Sequence, residues 1–168
     1  MTLDLARIRP PRCTLVNLTS GEELVCLANP TELTETIAVN WNRVAVPGLS
    51  HQVLQFGSTN NRQLTGVELY FDRFLLAEEP QAPDLLTFRN FLLALTVPLA
   101  AAGGAPPAAP PRMLFVWPQL LTMECVVASV ELRYQRFALD GSVLAYTAAL
   151  ELEEILDVRV TSEDRRKG

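Results

Sequence analysis

The sequence lacks most of the features by which enzymes are recognised. It contains a single histidine, His51, and no G-x-S-x-G, G-x-G-x-x-G or P-loop string, so nucleophilic and nucleotide-binding sites have no support. Its three cysteines are widely spaced and form no C-x-x-C pair, which argues against a zinc or redox motif and indicates reduced thiols. We therefore expect a protein that is not an enzyme, with no catalytic, metal-binding or cofactor-binding residues.

Clustered positive charge and long apolar runs are also scarce. The formal net charge is −5 at pH 7, and the one basic cluster, Arg165–Lys167, directly follows two acidic residues. Nucleic-acid binding depends on clustered cations, so we expect no nucleic-acid partner. The longest apolar stretch, 91–102, is interrupted by Thr96 and Pro98 and is shorter than the ~20 residues of a spanning helix. With no secretion-signal pattern at the N-terminus, we expect no membrane insertion and assembly in the cytoplasm.

Alternating apolar and polar residues dominate what is present, and 49% hydrophobic residues suffice for a packed core. Period-two segments predict strands at about Ile8–Leu18, Glu23–Leu27, Glu35–Val46, Val53–Phe56, Leu64–Phe74 and Met113–Trp117. The first two should form a small hairpin. Because prolines cannot donate ladder hydrogen bonds, Pro10-Pro11 predict that the first strand lies at a sheet edge.

One helix is predicted between the strands. Asp84 is a favourable N-cap, and apolar residues follow at positions 85, 88, 92 and 95, which places them on one helical face. Pro98 disfavours helical geometry at the residue before it, so the helix should occupy about 84–96. An alanine- and proline-rich linker follows at 100–111.

The longest alternating pattern is a C-terminal hairpin at about 125–154, with its turn at Asp140-Gly141. One face is predicted to cover the core and consists of Val126, Ala128, Val130, Leu132, Tyr134, Leu144, Tyr146, Ala148, Leu150 and Leu152. The opposite face is polar, as antiparallel sheets commonly are on one side. Its candidate interface residues are Glu131, Arg133, Gln135, Glu151 and Glu153. His51, in a loop or strand end, is a further candidate contact.

These patterns predict a mainly β (α+β) fold: a closed or nearly closed antiparallel barrel or sandwich with one inserted helix. We expect one domain over 1–160 and a charged tail at 161–168. Aromatic residues leave an alternative open, because Trp41 or Trp117 could serve a ligand- or carbohydrate-binding β-barrel module. Such residues are more often core or interface anchors, and we favour the core for both.

The order and spacing of several short strings resemble the tube-like domain of contractile injection system baseplate proteins. The likeness rests on four segments: Leu27–Leu33 with its Asn-Pro turn, Pro47–Asp72 with Pro-Gly-Leu and Leu-Gln-Phe-Gly, the helix from Asp84, and Pro110–Ala145. One departure is Pro118, where the family commonly has a glycine after the tryptophan. The family's domain is often followed by a peptidoglycan-binding LysM module, and the sequence ends at Gly168 without one.

The resemblance implies a fold related to phage tail tubes and a structural role without catalysis. It implies a subunit that bridges the central hub or spike and the inner tube to the baseplate wedge, with an inner-tube or tube-initiator protein as the near alternative. The implied partners are spike or hub, inner-tube and wedge proteins of one particle. Several copies are expected, with a ring of six as the natural arrangement. The particle would be virion-like and could be released from the cell.

Overall fold

The computed structural model describes residues 11–77, 84–99 and 109–156. Its elements are β1 Thr14–Asn17, β2 Glu23–Val25, β3 Thr34–Thr36, β4 Val39–Val44, β5 Val53–Thr59, β6 Gln63–Asp72, α1 Arg73–Ala77, α2 Leu85–Ala94, β7 Met113–Trp117, β8 Leu121–Phe137 and β9 Val143–Glu154. Most of the predicted linker and the whole predicted tail lie outside the described residues. The domain bounds therefore stay a prediction.

The strands divide into two antiparallel sheets. Seven form one sheet in the order β2-β1-β7-β8-β9-β6-β3, and β4 and β5 form a separate two-stranded sheet. The predicted mainly β fold with an inserted helix is confirmed. The predicted barrel closure is not seen: in the described strands β2 and β3 end the hydrogen-bonded order and do not pair with each other. Each has three residues, which gives little edge to pair.

Three local differences from the predictions have simple causes. β1 lies inside the sheet, between β2 and β7, and is not the predicted edge strand. The prolines do not prevent this because Pro11 precedes the first paired residue, Thr14. The predicted strand 35–46 is divided into β3, which joins the large sheet, and β4, which leaves it. The short helix α1 continues directly from β6 and was not predicted.

The long hairpin formed by β8 and β9 contains a β-bulge that changes which residues face the core. Val127 pairs with Leu152 and Ser129 pairs with Glu151, so Ala128 is an extra residue on β8. An extra residue reverses the alternation. Val127 therefore packs against the core and Ala128 is exposed, while Val126 lies opposite the polar Glu153. The predicted facing of Val126 and Ala128 was wrong.

Helix α2 covers the apolar face of the large sheet. Asp84 caps it, since its Oδ1 accepts a hydrogen bond from the Leu85 amide at 2.8 Å. The fully buried Phe71 ring lies 5.1 Å from the Phe88 ring and 4.9 Å from the Tyr146 ring. The Tyr146 hydroxyl donates to the Leu85 carbonyl at 2.9 Å. These contacts tie the helix to the neighbouring strands β6 and β9.

Among the described helices, none is long and apolar enough to cross a membrane.

We predict that Phe71→Ala lowers the free energy of unfolding by about 3–5 kcal/mol, because it leaves a cavity between α2 and the sheet. Phe56→Ala is the matched control, since the Phe56 side chain is mostly exposed. It should change stability by less than about 0.5 kcal/mol. Urea unfolding measures both, and equal effects of the two substitutions would contradict this packing.

Candidate interaction surfaces

The polar face of the long hairpin brings three of the predicted interface residues together. A shallow cleft of about 80 Å³ is lined by Glu68, Glu131, Arg133, Gln135, Thr147 and Ala149. Arg133 Nη2 donates to Glu131 Oε1 at 3.1 Å. Gln135 Nε2 donates to Thr147 Oγ1 at 2.9 Å. Four of the polar side chains that line the cleft are thus hydrogen-bonded in two pairs.

The other predicted interface residues are divided between two places. Glu151 and Glu153 lie on the same polar face, paired with Ser129 and Val126 of β8. His51 is exposed in the connection between β4 and β5, which belongs to the separate sheet. The polar face and His51 therefore belong to different surfaces, and their contacts with partners stay a prediction.

At one end of this face, Asp72 forms a buried polar junction that the sequence analysis did not predict. The Tyr70 hydroxyl and the Phe74 amide each donate to its carboxylate at 2.8 Å, and the Arg136 guanidinium forms an ion pair with it. Asp72 and Arg136 flank the same residue of β9, Ala145, which is why they meet. Burial alone would raise the pKa of Asp72, but the amide, hydroxyl and guanidinium together lower it below its ordinary value.

Three exposed apolar side chains lie near this end of the long hairpin. Phe74 and Phe137 are 67% and 58% exposed, and Leu139 in the turn is fully exposed. The Arg136 guanidinium lies 5.7 Å from the centre of the Phe74 ring, which joins α1 to the end of β8. The turn residue Asp140 follows Leu139. Hydrogen bonds from Ser142 lower the pKa of Asp140, and the positive charge of Arg73 also contributes.

The separate sheet of β4 and β5 forms an exposed arm, which we define as residues 37–60. Every residue from 34 to 61 is exposed. Asn60 N donates to Ala38 O at 2.8 Å and extends the pairing beyond the strands. One face of the arm is polar, with Asn40 Nδ2 donating to Ser58 Oγ at 3.0 Å and to Asn60 Oδ1 at 2.9 Å. A side chain at Gly57 would place its Cβ 3.0 Å from the Asn40 carbonyl, so glycine fits this bulge.

The other face of the arm is apolar and uncovered. Trp41 pairs directly with Phe56, and their rings meet edge to face at 5.7 Å. These side chains are nevertheless 53% and 60% exposed, and Val39 and Leu54 beside them are exposed as well. An isolated two-stranded hairpin is marginally stable in water. An apolar face on such an element indicates an interaction site.

The two tryptophans differ in environment. Trp41 was expected in the core, and this prediction was wrong because β4 leaves the large sheet. Trp117 is half-buried against the core, 6.5 Å from the Phe115 ring. The cleft on the polar face includes neither tryptophan. The two strand patterns on either side of Pro47-Gly48 were the sequence signal for the arm. Alternation alone does not show that the apolar side of the arm is exposed.

The cysteines are free and buried, and the described part of the chain holds no group of three or more His, Cys, Asp or Glu residues placed to bind a metal. Burial raises the pKa of Cys13 to about 11 and that of Cys125 to about 12. Thiols with such values are weak nucleophiles at neutral pH.

Comparison with known families gives one result that covers most of the sequence. Residues 14–161 match the family model described as contractile injection system tube protein. This confirms the resemblance drawn from the short sequence strings. No curated protein matches the sequence.

We predict that Trp41 is accessible to solvent in the free subunit. The chain has two tryptophans, so Trp117→Phe leaves Trp41 as the one emitter and Trp41→Phe is the matched control. Iodide should quench the fluorescence of Trp117→Phe strongly and that of Trp41→Phe weakly. Equal quenching of the two variants in a monomeric sample would contradict an uncovered arm.

We also predict that Asp72→Asn lowers the free energy of unfolding at pH 7 by roughly 1–3 kcal/mol, because it weakens charge-assisted hydrogen bonds. The pKa of Asp72 is lowered in the folded state, so its stabilisation is present above the ordinary value of 3.8 and is lost as pH falls below it. Urea unfolding should show wild type and variant converging at acid pH, with exposed Glu68→Gln as control. A difference independent of pH would refute this role.

Proposed function

The chain belongs to the contractile injection system tube protein family, and we propose that this structural component bridges the central hub or spike and the inner tube to the baseplate wedge. The observation that supports it best is the arm, whose apolar face has no cover among the described residues. A protein whose work is to hold neighbours in register needs such surfaces more than it needs a pocket. No catalysis and no cofactor are part of the proposal.

The arm is suited to a permanent contact. Trp41 and Phe56 carry the largest apolar side chains on its exposed face. Aromatic side chains are enriched at the centres of protein interfaces because each buries a large area. Covering the arm would also stabilise its strand pairing, whose side chains are exposed on both faces. Assembly and ordering of the arm are then expected to be coupled.

The open edge of β8 supports assembly in several copies. β7 pairs only with residues 121–125 of β8, whereas β9 pairs with β8 as far as Phe137. In the described chain the second edge of 126–137 therefore meets no strand. Such edges are completed in many proteins by a strand from a neighbour. A ring of copies, with six as the expected number, would provide that neighbour.

The polar face is proposed as the surface that contacts the hub or another partner with a polar, hydrated surface. It carries Glu131, Arg133, Gln135, Glu151 and Glu153, and we retain these residues, with His51 on the arm, as candidate contacts. Since Arg133 and Gln135 already have partners within the chain, their exchange for a neighbour's groups would yield little net affinity. Contacts at this face would determine the orientation of a bound partner more than the affinity for it.

An inner-tube or tube-initiator protein is the second candidate, and the description of the matching family as a tube protein favours it. Both candidates predict cytoplasmic assembly into a virion-like particle that could be released. Electron microscopy of isolated particles separates them. The bridging role predicts this chain in one layer around the spike, whereas the tube role predicts a stack of layers along the particle.

We predict that the double variant Trp41→Ser and Phe56→Ser enters particles about tenfold less than wild type, since it removes the apolar face that a neighbour would cover. Leu18→Ser with Leu120→Ser is the matched control, because both leucines are exposed outside the arm. Immunoblotting of sedimented particles gives the measurement. Wild-type incorporation of the arm variant would refute the proposal.

A further inference from the structure

We propose that Arg62 is a positioning residue for the arm: its guanidinium holds Glu35 and Glu154 together and so fixes the direction in which the arm leaves the large sheet. This role rests on the proposed function, because it concerns how the arm is presented to a neighbour. It adds the group that controls this presentation, and that group lies outside the arm itself.

The arm and the edge of the large sheet form one ladder that is interrupted at a neck, which we define as residues 37, 61 and 62. On the sheet side the last pair is Thr36 with Gln63. On the arm side Asn60 N donates to Ala38 O at 2.8 Å. One residue of the outgoing strand therefore lies opposite two residues of the returning strand.

An extra residue on one strand is a β-bulge, and a bulge bends the strand that carries it. This explains why the arm departs from the large sheet at the neck. A bulge also disrupts the ladder, so the neck has less backbone support than the pairing on either side of it. The direction of the arm then depends on the contacts that the neck side chains make.

Arg62 supplies such contacts. Its Nε lies 3.2 Å from Glu35 Oε1 and 3.6 Å from Glu154 Oε2. Glu35 belongs to β3, the strand that leads into the arm, whereas Glu154 is the last residue of β9. The guanidinium thus joins the outgoing strand, the returning strand and the body of the sheet. We call Arg62, Glu35 and Glu154 the neck clamp.

The backbone places the three side chains of the neck clamp together. Glu154 N donates to Arg62 O at 2.8 Å, which sets these two residues opposite each other. Residues that are opposite in an antiparallel pair, or two apart along a strand, share a face of the sheet. Glu35 lies opposite Leu64, and Leu64 lies opposite Leu152. Since both leucines are buried, the neck clamp lies at the end of the core-facing side.

Partial burial makes the neck clamp sensitive to a change of charge. The Glu154 side chain is 19% exposed and that of Arg62 is 32% exposed. Arg62 Nε is buried and makes no hydrogen bond to the described residues, so it holds both carboxylates by charge. Without this cation, two carboxylates that now lie within 3.6 Å of one nitrogen would repel each other. Such repulsion would open the neck and release the direction of the arm.

A fixed direction raises the apparent affinity of the arm for its partner. A partner binds only the fraction of subunits whose arm points correctly, and the apparent affinity falls with that fraction. The neck clamp acts on direction alone. The strand pairing within the arm stays marginal until a neighbour covers it.

The distance between the arm and the large sheet in the purified subunit tests this role. Spin labels on Gln55→Cys in the arm and on Leu120→Cys between β7 and β8 give a distance distribution by pulsed electron paramagnetic resonance, and both positions are exposed. The native cysteines are buried, and the chain without introduced cysteines should take up no label. Adding Arg62→Gln should broaden the distribution. Arg62→Lys, which keeps the cation, should leave it close to that of the labelled parent.

Two further variants provide a control and a confirmation. Arg112→Gln is the matched control, because it breaks an exposed ion pair with Glu124 at 3.1 Å that is not part of the neck, and it should not broaden the distribution. Glu35→Gln removes one carboxylate of the neck clamp and should broaden the distribution as Arg62→Gln does. Since Glu35 is 43% exposed, this variant should fold even if Arg62→Gln does not. Thermal melting checks the fold of each variant.

Entry into particles connects the direction of the arm with assembly. Entry of Arg62→Gln should fall by roughly three- to tenfold, in proportion to the fraction of arms that point correctly. Equal distributions for the parent and the neck-clamp variants, or a broad distribution with wild-type entry, would overturn this role. The proposed function fails by a different result, namely wild-type entry of the Trp41 and Phe56 double variant, and that result does not affect the distances measured in the free subunit.

Discussion

The packing of one ten-residue helix on one face of a seven-stranded sheet is the constraint on which the rest of the structure depends. The stack of Phe88, Phe71 and Tyr146 fixes the helix over β6 and β9. With one face covered, the sheet has a core. Its other face and its open edges, together with the separate β4–β5 sheet, are left for solvent or for neighbours. The interaction surfaces follow from this asymmetry.

The two ends of β6 lead into different structural features. At the first end the chain leaves the sheet as the amphipathic arm, and at the other end the Asp72 junction anchors α1 beside the end of the long hairpin. The junction buries a carboxylate, which is tolerable because three donors satisfy it. A subunit with different surfaces at its two ends can make contacts of two kinds with its neighbours.

Sequence reasoning predicted the elements whose patterns are local. The Asp-Gly turn of the long hairpin, the Asp84 cap and the helical spacing from Leu85 all specify structure within a few residues, and these predictions were confirmed. Sequence reasoning failed where packing between distant parts of the chain determines which side chains are exposed or paired. The exposure of Trp41 depends on where β4 leaves the large sheet, the reversal after Val127 depends on a bulge, and the Asp72–Arg136 pair joins residues that are 64 positions apart.

The central claim is that assembly covers the arm. Amide hydrogen exchange of residues 39–59, measured for the free subunit and for isolated particles, tests it most directly, because a marginal two-stranded sheet exchanges quickly unless a neighbour holds it. The account predicts fast exchange in the free subunit and strong protection in particles, while the core strands β6 and β9 are protected in both. Equal exchange of the arm in the two samples would contradict it.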